Sequence, residues 1–284
     1  MSPSKKSPFT ILFIIFVIVA CIVCCLFISP SDDVGEKTPA PGTPSYEMID
    51  EQKGDETSIK KTYHFAYDGK SWEIVASVPK YRYENYKNGK YVVNQMEWYD
   101  YEPEPQRAFM NDEYFINVVE QIKTQNGKLT DDELIHVISY FVQSHVDYML
   151  DDVQYGKEYC AYPMEALIND AGDCDCKAAL LCGMLYHAGF DSIYIEILPK
   201  GSSRGHVVVG VHCETLKTHS DDSHIMHNGK KYTIIESTNF FPIGMNLYDE
   251  DLKNWRLIHE PGKSQLIEHG EVTSASKYNG WNKL

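Results

Sequence analysis

The sequence predicts an α+β fold in which one central helix packs on an antiparallel sheet, with a membrane-spanning helix ahead of it. Three observations carry that expectation. An Asp-Gly hairpin signal and two helical runs precede a helix opened by Gly172 and Asp173. Three runs rich in β-branched residues follow that helix. Near the N-terminus, one apolar run is long enough to cross a bilayer.

The chain has 284 residues, 43% of them hydrophobic and 24% charged, enough for one sizeable packed domain with appendages. A net charge of −15 with no basic stripe argues against nucleic acid as a partner. Residues 1–8 carry Lys5 and Lys6 and no acid. Residues 9–28 are apolar except for Thr10, a length of about 30 Å as a helix. We read residues 9–29 as an uncleaved signal anchor, because the apolar stretch runs past the weak lipoprotein-like box at Cys21 and has no small-residue cleavage site. Basic residues before it and Asp32, Asp33 and Glu36 after it put the N-terminus in the cytoplasm and the body outside. Residues 30–57, rich in Pro, Gly, Ser, Thr and acids, form a disordered linker. The folded domain is then 58–284.

Within it, Tyr63 to Tyr67 and Trp72 to Ser77 flank Asp68-Gly69 and make a hairpin. Strand character is expected to continue to about Trp98, with Tyr81, Tyr83, Tyr86 and Tyr91 packing at the domain's edge. A helix is expected over 111–122, with Phe115, Val118, Val119 and Ile122 on its apolar face. Thr130 with Glu133 forms a capping box that starts the next helix, whose buried face is Leu134, Val137, Ile138 and Phe141. His136 and His145 have no partner at ligand spacing and read as solvated or core-edge residues. Residues 147–153 form a loop.

The organising stretch is 162–190. Gly172 marks a turn, Asp173 is an N-cap type, and Ala178, Leu181, Cys182 and Leu185 recur at helical spacing before Gly189 ends the helix. Cys174 therefore falls in the first helical turn, where unpaired N–H groups and the macrodipole favour a thiolate. The bland reading of Cys174 is a small buried hydrophobe. Three strands are expected over 192–198, 206–212 and 232–237, and 213–231 is a polar loop. That loop's His219, Asp221, Asp222, His224 and His227 match no recurrent metal spacing. A thiol nucleophile needs a base and a group to orient it. If the second and third strands pair antiparallel, His206 at the start of one lies beside Glu236 at the end of the other.

The run Tyr162-Pro-Met-Glu-Ala-Leu, then Gly172-Asp-Cys-Asp, Ala179-Leu-Leu and His187-Ala-Gly-Phe resembles the core motif of the transglutaminase-like superfamily of cysteine enzymes. Gly205-His206-Val-Val-Val resembles its histidine strand and Tyr232-Thr-Ile-Ile-Glu236-Ser-Thr-Asn its acid strand. The helix ending in Gln143 resembles the segment leading into that core. The likeness covers about 105–245, with 58–104 a strand-rich N-terminal extension.

The resemblance implies a papain/transglutaminase-like core with Cys174 as nucleophile, His206 as general base and acid, and Glu236 orienting His206. The superfamily more often has Asp in that last place. The oxyanion would bind the Cys174 backbone N–H. The implied reaction is acyl transfer from an amide or peptide bond through a thioester, hydrolytic rather than cross-linking, on a protein or peptide substrate. It needs no metal and no organic cofactor. Cys176 points to another helix face and reads as packing, and a Cys160–Cys213 bridge is open. Two alternatives stand beside this reading: an inactive peptide-binding module, and a zinc protein using Cys174, Cys176, Cys182 and nearby histidines, which the different helix faces of Cys174 and Cys176 disfavour.

Overall fold

The turn residues Asp68 and Gly69 both take positive φ, 47° and 74°, as a two-residue hairpin turn demands. The structure, a computed structural model, describes residues 57–88, 107–197, 205–218, 223–245, 255–261 and 263–266. The expected anchor at 9–29, all but the last residue of the linker, residues 89–106, and His219, Asp221 and Asp222 lie outside these. Among the described residues no helix is long and apolar enough to cross a membrane.

Strands β1 (Ser58–Tyr67) and β2 (Lys70–Pro79) pair antiparallel along their full length. Alternation buries Tyr63 and Phe65 on one strand and Trp72, Ile74, Ala76 and Val78 on the other. The next residues depart from expectation: Lys80–Lys87 is a helix, α1, not strand. Tyr83 and Tyr86 are buried, one turn apart on a single helical face, so packing overrides the β preference of the aromatics. The Tyr86 hydroxyl donates to the buried Asp112, which caps helix α2 (Glu113–Thr124) by accepting from the Tyr114 and Phe115 N–H groups.

Helix α2 covers the free edge of the hairpin. The Gln121 side-chain amide accepts from Val75 N–H at 2.8 Å and donates to Val75 C=O at 3.0 Å. Gln125 does the same for Glu73, at 2.9 and 2.6 Å. Two glutamines thus stand in for a neighbouring strand. Helix α3 (Asp131–His145) begins with the expected Thr130–Glu133 capping box.

The expected loop after α3 is partly ordered. Strand β3 (Asp147–Tyr148) pairs in parallel with β4 (Ala171–Gly172), and Asp151–Gln154 is a short helix, α4. Helix α5 (Pro163–Asn169) leads into α6 (Cys174–Ala188), closed by Gly189 at φ 105°. All ten residues from Cys176 to Leu185 are buried. The sequence pattern predicted a single apolar stripe, but α6 is enclosed on all sides. It packs on β5 (Asp191–Ile197) and β6 (His206–His212), and also against α2, α3, α5 and the turn Arg107–Phe109.

Strands β7 (His224–His227), β8 (Lys230–Ile235), β9 (Trp255–Glu260) and β10 (Lys263–Leu266) complete a six-stranded sheet ordered β10-β9-β5-β6-β8-β7. Every neighbouring pair in it is antiparallel. The polar loop expected over 213–231 therefore contains a strand. One sheet face joins the main core with Tyr194, Val207, Val209 and Val211; the other buries Ile193, Ile195, Val208 and Ile234. The mixed helix and antiparallel-sheet architecture is as expected, and the hairpin shares the main core with the helices.

Candidate active site

His206 is the first residue of β6, and Glu236 follows the last residue of β8. These strands pair with Val209 opposite Ile235. Continuing that register sets Glu236 opposite Val208, two residues from His206, a diagonal within reach of long side chains. His206 Nε2 and Glu236 Oε2 are 2.7 Å apart. The second carboxylate oxygen accepts from the Thr238 N–H at 3.0 Å and its hydroxyl at 2.8 Å. Glu236 is wholly buried, which opposes ionisation, but His206 and Thr238 together hold its carboxyl below the ordinary range.

The backbone at this corner is also held. The Gln143 side-chain amide, near the end of α3, donates to Glu236 C=O at 2.7 Å and Phe241 C=O at 2.9 Å. The sequence reading passed over Gln143 and Thr238. Gln143 closes the helix segment of the resemblance, but an amide facing two distant carbonyls leaves no local sequence signal.

Cys174 is the first residue of α6 and is half-buried. Its helix packs on β6, the strand that begins with His206. The electrostatics differ from expectation. Burial, then the charges of Asp173, Asp175 and Glu236, push the Cys174 thiol up rather than down, against the Val207 N–H. A helix terminus contributes about half a charge, and burial together with the nearby acids outweighs it.

Asp173 occupies the N-cap position, but its side chain makes no capping bond; the backbone carbonyl alone accepts, from Lys177 N–H at 3.0 Å. Its carboxyl turns instead toward other acids. Asp151 and Asp173 are 4% and 8% exposed, and Oδ1 of each has no hydrogen-bond partner. Burial and the neighbouring Asp175 push Asp173 up to about 8. Burial, with Asp173 and Glu158 nearby, pushes Asp151 up to about 6 against the Tyr159 N–H that it accepts at 2.6 Å. One turn into α6, the buried Lys177 donates to Val146 C=O, and burial lowers its ammonium to about 8.

Gly172 is required by packing. A Cβ there would lie 2.6 Å from Cys176 Cβ. Cys176 is buried as expected, its sulfur accepting from Ala161 N–H at 3.0 Å. The five cysteines of the described residues are free, and Cys160 meets Cys176, not Cys213. Cys182 turns to Ser192 Oγ at 3.6 Å. Among the described residues, the groupings able to hold a metal are Cys160, Asp175 and Cys176, and Asp151, Asp173 and Cys176. Neither includes Cys174 or Cys182, so among the described residues the expected zinc set is not assembled.

A groove of about 920 Å³ lies elsewhere, between Tyr67, Tyr140, His136, Lys217 and Phe240. It touches the back of the acid corner through Gln143 but includes neither Cys174 nor His206, so the chemistry is not placed there.

No family model and no curated protein matches the chain. Among solved structures, it is similar to calcium-bound LapG of Legionella pneumophila. That match has 17% identity over 61% of this chain and 90% of the other, with a TM-score of 0.37. It is also similar to a candidate cysteine protease from Cytophaga hutchinsonii, at 11% identity over 79% and 80% of the two chains, TM-score 0.33. A third likeness is to a candidate protease from Parabacteroides distasonis, at 11% identity over 64% of this chain and 39% of that one, TM-score 0.32.

Proposed function

We propose that this chain is a membrane-anchored, extracytoplasmic thiol enzyme that hydrolyses amide or peptide bonds through Cys174, His206 and Glu236. The observation that carries the reading is the 2.7 Å bond between His206 and Glu236, at the start of the strand on which the Cys174 helix packs. Because Nε2 is committed to the carboxylate, proton exchange with sulfur falls to Nδ1. His206 takes the thiol proton as Cys174 sulfur attacks the carbonyl carbon. The oxyanion faces the Cys174 N–H, which as the first helical residue has no acceptor within the helix. His206 then protonates the leaving amine as the C–N bond breaks and the thioester forms. Water, deprotonated by His206, attacks the thioester; the acid leaves and the thiol is restored. Glu236 stabilises the imidazolium in both halves.

Beside the nucleophile, Tyr148, Leu150 and Val153 are 49%, 44% and 73% exposed, on the segment whose strand pairs with Ala171–Gly172. They offer a surface for an apolar stretch of a peptide substrate. Asp151, Asp173 and Cys176 form a group whose ligand atoms lie within 4.8 Å of one another, and each of the two carboxyls has an orphaned buried oxygen. These three would hold a divalent cation, which when bound would neutralise acids that help keep the Cys174 thiol protonated.

The test is iodoacetamide labelling of the protein near neutral pH, followed by incubation with a peptide library and mass spectrometry. Cys174 should label well ahead of Cys213, and His206→Ala should slow it. A thioester adduct on Cys174 should form and decay to the free acid. Equal labelling of the two thiols with no adduct would reject the enzyme and leave a binding module; conversion to an amide when a primary amine is added would make it a transferase.

A further inference from the structure

Two thiols outside the proposed triad meet in the core, and the sequence offers no reason for their meeting. Cys160 lies in the segment between α4 and α5; Cys176 is the third residue of α6. They are 1% and 0% exposed. Their sulfurs lie within 4.8 Å of each other. A disulfide needs sulfurs that approach to about 2.05 Å from Cβ atoms about 3.8 Å apart, so closure from within 4.8 Å requires a shift of up to about 2.7 Å. The segment that would move holds the four-residue helix α4 and turns at Tyr155 and Gly156, with Val153 exposed beside them. On the α6 side β4 packs closely, since a Cβ on Gly172 would lie 2.6 Å from Cys176 Cβ.

We propose that Cys160 and Cys176 are a disulfide-forming pair that, when oxidised, fastens the 151–162 segment to the start of the Cys174 helix. The co-reactant is a small-molecule or protein disulfide. One thiolate attacks it, releasing one thiol and forming a mixed disulfide; the second thiolate displaces the other thiol, and the Cys160–Cys176 bond forms. Two electrons leave the pair, two thiols are released, and the atoms balance. Cys174 is not consumed: it is outside the cluster that brings Cys160 and Cys176 together, and Cys176 sulfur meets Ala161 N–H and Tyr159 C=O. Reaction needs only a transient opening of the segment, and the proposal stands whether or not Cys174 is catalytic.

The consequence is local. The closed loop spans residues 160–176 and carries α5, β4 and Asp173, so the bond restricts everything that sets the position of Cys174.

The test equilibrates the detergent-solubilised full chain with excess glutathione disulfide at about pH 8. The sample is quenched in acid, denatured, alkylated and mapped by mass spectrometry without reduction. The expected product is one cross-linked peptide joining Cys160 to Cys176, with Cys182 and Cys213 alkylated. The oxidised protein should melt higher than the reduced protein, and Cys160→Ser should lose both the cross-link and the difference. The wild-type map needs no variant, so a Cys160→Ser that does not fold leaves it decisive. Full alkylation of both residues, a bond from either to Cys174 or Cys213, or stoichiometric zinc that blocks oxidation would overturn the proposal. An active-site labelling experiment that fails while this map succeeds would leave the proposal intact.

Discussion

Cys174 carries an electrostatic burden that its helix position does not lift. Asp173 and Asp175 flank it and Glu236 faces it, so the thiol stays protonated until His206 takes the proton or the acids are neutralised. His206→Ala should lower kcat/KM by about a thousandfold or more, measured on whichever peptide the library identifies. Glu236→Gln keeps the shape but removes the charge that holds the imidazolium, and should cost about a hundredfold or more in the same assay. The acids also set a pH dependence. Asp173 is pushed up to about 8 in the fold from an ordinary 3.8. Between about pH 4 and 8 the unfolded chain has released a proton that the fold retains, so this group's contribution to stability falls as pH rises. Melting should therefore weaken from pH 5 to pH 8, and Asp173→Asn should flatten that dependence.

At the scale of elements, two devices position the site. Gln143 ties the end of α3 to the carbonyls of Glu236 and Phe241. Gln143→Ala should destabilise the fold by about 1–3 kcal/mol in denaturant unfolding, from two buried carbonyls left unpaired. It should also slow turnover, since the Glu236 corner loosens. Gly172 allows the approach of β4 to α6, and Gly172→Ala should cost about 1–3 kcal/mol by forcing the helix start away. The capping box of α3, the Asp-Gly turn and the Gly189 stop were legible from sequence because each is a contact within a few residues. The helix at Lys80–Lys87 was not: its reason is the burial of Tyr83 and Tyr86 against distant elements. Strand β7 hid in the same way, being short and polar and held by its pairing to β8.

For the whole molecule, the hairpin and the helices share one core with a face of the sheet, so residues 58–88 belong to the fold rather than decorating it. Deleting residues 1–56 should leave the melting temperature within about 2 °C of the full chain while moving the protein from the membrane to the soluble fraction. A chain that stays soluble with the apolar run intact would remove the anchor from the reading. The sequence alone determined the α+β class, the helix that begins at Cys174 and the chain order of Cys174, His206 and Glu236. Periodicity, turn chemistry and motif spacing are local properties, and they survive in one dimension. Tertiary structure alone decided that His206 meets Glu236 on a diagonal, that Gln143 and Thr238 hold that corner, that Cys160 finds Cys176, and that acids raise the thiol. Each of these depends on which distant groups share a buried volume, where low dielectric makes charges and unpaired polar atoms count.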